Sequence, residues 1–145
     1  MTQTKLRALP LLGVALLLAG SGTAVAHHSF SQEFDPAKPI KIVGAVTRFD
    51  FVNPHSWIHV KAVNPRNGKL EEFHIEGGAP SALLRRGWNR NSLPPGTRIA
   101  VEGYAARDDE HRASAASLTF PDGRELSLGN PATEAVAAAQ KRARN

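Results

Sequence analysis

The 145-residue chain has no cysteine. Disulfides, thiolate metal sites and cysteine nucleophiles are therefore excluded, and a bound metal must be held by histidine, carboxylate or backbone groups. Nor is there a long apolar run. The stretch "LPLLGVALLLAG" near the start falls short of the roughly 20 residues that a membrane span needs. The HExxH, EF-hand, P-loop and GxSxG signatures are missing, and no internal repeat is visible. Charge of one sign is not concentrated in the middle of the chain. The formal charge is +5, and Lys141, Arg142 and Arg144 crowd the C-terminal end. The basic balance is therefore no argument for nucleic acid.

What is present begins with an export signature. Lys5 and Arg7 form a positive start, the apolar run follows, and Ala24-Val25-Ala26 forms a small-residue cleavage pattern. Cleavage is expected after Ala26, which leaves 119 of the 145 residues, starting at His27. Losing Lys5 and Arg7 lowers the formal +5 to +3. The expected location is periplasmic or secreted, without a membrane span in the mature form. The expected organisation is a signal over 1–26, an extended arm over 27–39, a barrel domain over 40–128 and an Ala-rich, basic tail over 129–145 that is flexible or helical.

The central region alternates in the manner of strands. "IKIVGAVTRFDF" (40–51), "SWIHVKAV" (56–63) and "LEEFHIEG" (70–77) are β-branched and aromatic. Gly44 marks an expected bulge or bend. "APSALLRRG" (79–87) carries a helix signature with Ser81 or Pro80 at its start and Gly87 at its stop. Strands follow at 97–107 and 113–121, and Asp122-Gly123 opens a hairpin into "RELSLG". An open antiparallel sheet exposes its edges, so closure is expected. The fold class is mainly β: a small five- to six-stranded antiparallel barrel of OB-like order (β-β-β-α-β-β) with one short helix. An open sheet packed by the helix is the alternative.

The turn "NPRNGK" sets a register. Pro65 suits a right-handed position and Gly68 a left-handed one, so the loop closes on Asn64 and Lys69. Ile58 then faces Ile75, and Val60 faces Phe73, on a core face. On the other face Lys61 stands opposite Glu72 as a charge pair, and His59 stands opposite His74; a type I′ Asn-Gly turn would instead shift the register by two and separate these histidines.

Five of the six histidines lie in the arm and the first hairpin: His27, His28, His55, His59 and His74. Opposed strand positions lie roughly 4.5–5.5 Å apart at Cβ, so His59 and His74 can reach one ion. His55 has the parity of His59. A processed His27 would add its α-amine, and a nitrogen-rich set favours Cu(II), with zinc or nickel as alternatives. The plain reading of the same residues is solvent-face histidines and a loose terminus.

Other residues have two readings as well. Trp57 and Trp88 are candidate ligand-stacking residues or covers for the barrel ends. "EGGAP" is a candidate anion nest or only a tight turn. Arg85 and Arg86 suit an anion or a helix C-terminus. Asp108, Asp109, Glu110 and His111 suit a hard cation or an exposed loop. Asp50 and Glu76 are carboxylates near the histidines.

The segments "AHHSF" with "FD" (26–35), "GAVTRFDFVNPHSW" (44–57) and "EGGAPSALLRRGW" (76–88) resemble the small exported bacterial proteins grouped as domain of unknown function 6152. The resemblance covers residues 24–128. It implies export and a small β-rich domain, and it supplies no activity. The recurring His-His-Ser-Phe segment maps to His27, His28, Ser29 and Phe30. The recurring Asn-Pro-His-Ser-Trp segment maps to Asn53, Pro54, His55, Ser56 and Trp57. The expected function is a non-enzymatic binding protein that holds copper, or zinc or nickel, through the five histidines. Its partners are then a metal ion or a periplasmic protein. Two rivals are a metal-free ligand- or protein-binding module using Trp57 and Trp88, and a copper enzyme built on His27.

Overall fold

A computed structural model describes residues 30–145. The elements are a helical turn α1 (its described part being residues 30–33), β1 (Phe34–Asp50), β2 (Trp57–Val63), β3 (Leu70–Glu76), α2 (Pro80–Leu84), β4 (Arg98–Ala106), β5 (Arg112–Thr119), β6 (Glu125–Ser127) and α3 (Pro131–Ala143). The sheet order is β3-β2-β1-β4-β5-β6, and a further pairing of β3 with β5 closes it into a ring. That closing pair is parallel, in a sheet whose other described pairings are antiparallel. The barrel and its β-β-β-α-β-β order are as the sequence pattern implies.

The 17-residue β1 pairs with β2 on one side and β4 on the other. The segment 34–39, expected as an extended arm, is extended and pairs with β4 through Phe34↔Ala106 and Pro39↔Tyr104. Gly44 is not a bulge. It pairs regularly with Ala62 and Ile99, and a Cβ there would collide with Lys61 O. The bulge lies three residues later. Val46 pairs with Val60 and Arg48 with His59, so Thr47 is the extra residue. Regular alternation would point Arg48 to the side of Val46, which is core. The bulge reverses the parity, so Phe49 packs against the core while Arg48 and Asp50 turn outward.

The β2–β3 register is the one set by the turn. Asn64 N donates to Lys69 O at 2.7 Å, Gly68 has φ +70°, and Ile58↔Ile75, Val60↔Phe73 and His59↔His74 are partners. Ile58, Val60, Phe73 and Ile75 point inward with Ile42, Val46, Ile99, Val101, Ala115 and Leu118.

Helix α2 is shorter than the expected 79–87. Ser81 makes no cap, Pro80 occupies the first turn, and the chain leaves at Gly87 with φ +84°. The Ala-rich tail forms α3. Asn130 Oδ1 accepts from Ala132 N (3.2 Å) and Thr133 N (3.4 Å), which caps it. The helix packs outside the barrel over a second apolar cluster of Phe30, Phe34, Tyr104 and Ala106. Thr133 and Ser114 hydroxyls bond at 2.6 Å beneath it, and Gln140 Nε2 donates to Pro36 O at 2.8 Å.

Candidate metal centre

The outer wall of β2 and β3 carries Trp57, His59 and Lys61 beside Glu72, His74 and Glu76, because the inner positions take the apolar residues. His59 and His74 lie edge to face with ring centroids 4.7 Å apart. His59 is only 6% exposed although it faces away from the core. The outward turn of β1 covers it. Its Nε2 lies 2.9 Å from Asp50 Oδ2 and 3.0 Å from Arg48 Nη2. Arg48 Nε also donates to Asp50 Oδ2, at 3.1 Å. With Nε2 protonated, His59 and the guanidinium share one carboxylate oxygen, which anchors the ring.

Glu72 completes the group. Thr47, the bulge residue, donates its hydroxyl to Glu72 Oε1 at 2.6 Å. That bond holds the Glu72 carboxyl below the usual carboxylate range, with His59, His74 and Arg48 acting in the same direction. A donor atom from each of His59, Glu72 and His74 lies within 4.8 Å of the others. Two imidazoles and an ionised carboxylate form a donor set suited to late first-row divalent ions. The expected Lys61–Glu72 ion pair does not form. The two residues are partners in register, but Glu72 turns to Thr47. Assigning Glu72 to Lys61 hid it from the sequence reading. The signal was its parity with His74, two positions along the same strand face.

The other candidate residues are dispersed. His55 stands apart from the group of three and places Nδ1 2.7 Å from Glu76 Oε1. Burial pushes the Glu76 carboxyl up, while His55 pulls it back. His27 and His28 lie outside the described residues. Trp57 is half-buried on the outer wall. Trp88 has no open ring face for a ligand. It is 2% exposed, packs against Phe49 and donates Nε1–H to Ser127 O at 3.0 Å. The glycines of "EGGAP" serve close backbone approach, since a Cβ at Gly78 would collide with Gly129 O. Arg86 pairs with Glu134 at 3.4 Å. The acidic loop is internally satisfied: Asp108 pairs with Arg112 at 2.9 Å and Asp109 Oδ1 accepts from His111 N. His111 Nε2 lies 2.9 Å from Glu71 Oε2. Asn64, Asn67 and His111 together lower the Glu71 carboxyl to about 2.

Among the described residues no helix is long and apolar enough to cross a membrane. No curated protein and no solved structure matches the chain. The profile of the Family of unknown function (DUF6152) matches residues 15–115. With a match over more than half its length, the chain belongs to the Family of unknown function (DUF6152).

Proposed function

We propose that this is an exported metal-binding protein, cleaved after Ala26, whose described centre takes a late first-row divalent ion through His59, Glu72 and His74. The observation that carries this reading is the convergence of three donor atoms within 4.8 Å on one wall of the barrel. Cu(II) heads the affinity order for such a set, followed by Zn(II) and Ni(II). Asp50 is the group that orients His59. Coordination through Nδ1 keeps the Asp50 hydrogen bond, as metal-bound histidines commonly keep a carboxylate on the other nitrogen. Thr47 orients Glu72 in the same way. The role read from this donor set is ion binding.

The test is titration of the purified protein with Cu(II), Zn(II) and Ni(II) against a chelator of known affinity. The wild type binds tightly, and His59→Ala/His74→Ala loses one equivalent. Unchanged binding by that double variant would overturn the assignment.

A further inference from the structure

Between the C-terminal half of α3 and strands β1, β4 and β5 lies a cavity of about 670 Å³, within the size range of small-molecule pockets. Its origin is in the sequence. Glu102 pairs with Ser117 and Gly103 with Ala115, so Ala116 is an extra residue in β5. Ala116 and Ser117 both line the cavity, whereas Ala115 and Leu118 stay in the core. Gly103 lies beside them, where a Cβ would collide with Ser114 O. Ala137 lines the cavity from the helix side. Four small residues thus leave a gap that larger ones would fill. Gln140 clamps the helix across it: its Oε1 accepts from the Tyr104 hydroxyl at 3.1 Å, and its Nε2 donates to Pro36 O at 2.8 Å.

The lining is apolar on one side and cationic on the other. Ile40, Tyr104, Ala116 and Ala137 supply the apolar surface. The two carboxylates of the lining are already engaged. Glu102 Oε1 accepts from Lys41 Nζ at 2.9 Å, and Glu125 accepts from Ser117 Oγ. Two cations are not. Lys141 in the last turn of α3 and Arg144 at its C-cap both line the cavity, and neither side chain has an ion-pair or hydrogen-bond partner among the described residues. Their charges outweigh the partial negative charge of the helix C-terminus beside them. A ligand with an apolar body and one anionic head satisfies both sides. A neutral apolar ligand leaves the cations unmatched, and a fully hydrophilic anion leaves the apolar wall in water.

We propose that this cavity binds a small amphipathic anion, with its apolar body against Ile40, Tyr104 and Ala137 and its carboxylate or phosphate head on Lys141 and Arg144. The site is separate from the hairpin centre, which lies on β2 and β3, and does not require a metal there. Helix α3 then has a role besides covering the second apolar cluster: it is one wall of a binding site.

The experiment is calorimetric titration of the purified protein with decanoate, octyl phosphate and decanol. Folding is followed by circular dichroism, and the site is located by the methyl resonances of Ala116 and Ala137. Decanoate and octyl phosphate bind and shift both methyls. Decanol keeps the apolar body without the charge and binds at least about tenfold more weakly. Lys141→Met/Arg144→Met brings decanoate down to the level of decanol. Ala137→Phe fills the cavity from the helix side and removes binding of all three. Where circular dichroism shows that this variant displaces α3, Ser117→Phe fills the same space from the sheet side with the same result. The proposal is overturned if neither anion binds, if decanol binds as tightly as decanoate, or if decanoate binding survives Lys141→Met/Arg144→Met or the filling of the cavity. It is also overturned if the protein sediments with phosphatidylglycerol vesicles and leaves decanoate free, since Lys141 and Arg144 would then serve a membrane surface.

Discussion

The two histidine–carboxylate groups on this barrel are assembled in opposite ways. His59, Glu72 and His74 come from one hairpin and are aligned by seven residue pairs of a single register. His55 and Glu76 meet with Phe30 only because three distant segments are tied together at the barrel end. A centre of the first kind is as rigid as its sheet. A group of the second kind depends on loops and on the start of α3. Damage to the scaffold should therefore separate them.

The largest separation is expected from Gly78→Ala. A Cβ at this position collides with Gly129 O, where the backbone passes against the end of β3. The residues around His55 lose their alignment, while the β2–β3 ladder is untouched. Chemical denaturation should show a loss of about 1–3 kcal/mol, while copper titration shows the hairpin equivalent retained. Loss of that equivalent would erase the distinction. Next in size, Phe73→Ala removes a 1% exposed side chain behind the hairpin. Such truncations cost about 3–5 kcal/mol, and chemical denaturation should show a loss of that order.

Thr47→Val acts on the hairpin centre alone. Glu72 loses its hydroxyl donor, so its carboxyl rises toward the ordinary value. Metal affinity at His59 and His74 should fall by about tenfold, most visibly at mildly acidic pH where protons compete with the ion. Asn130→Ala removes the α3 cap and should cost about 1 kcal/mol, read as a lower melting temperature with the hairpin equivalent unchanged.

The smallest effect concerns the far end of the hairpin. Glu71 titrates at about 2 in the fold against an ordinary value of 4.5. A depressed carboxyl stabilises above its unfolded value and loses that contribution as pH falls through the folded one. Glu71→Gln should therefore be less stable than wild type near neutral pH. Melting curves of the two should converge between pH 4.5 and 2. A gap that persists below pH 2 would show that the variant acts by some route other than ionisation.

The same contrast explains what was legible in the sequence. The His59–His74 pair and the Ile58–Ile75 core pair followed from one turn, because Gly68 and Pro65 fix the loop and a period of two does the rest. Barrel closure was legible as a need to cover edges, but the parallel contact of β3 with β5 is non-local and leaves no periodic mark. The bulge at Thr47 was placed three residues early, at Gly44. Glycine there answers a close backbone approach, and the bulge residue has no special φ that would betray it. Glu72 was read as the partner of Lys61 because opposite charges stood opposite in register, although a hydroxyl from the bulge reached it first. Glu76 was legible as a carboxylate near the histidines, but its contact with His55 depends on how the segments at 54–56, 76–78 and 128–130 stack.

The most direct test of the hairpin centre is anomalous diffraction from crystals of the zinc- or copper-loaded protein, collected at the metal edge. The account predicts a peak on the outer wall of β2 and β3, about 2.0–2.2 Å from a nitrogen of His59, a nitrogen of His74 and a carboxylate oxygen of Glu72. A loaded crystal with no peak between those three residues would contradict it.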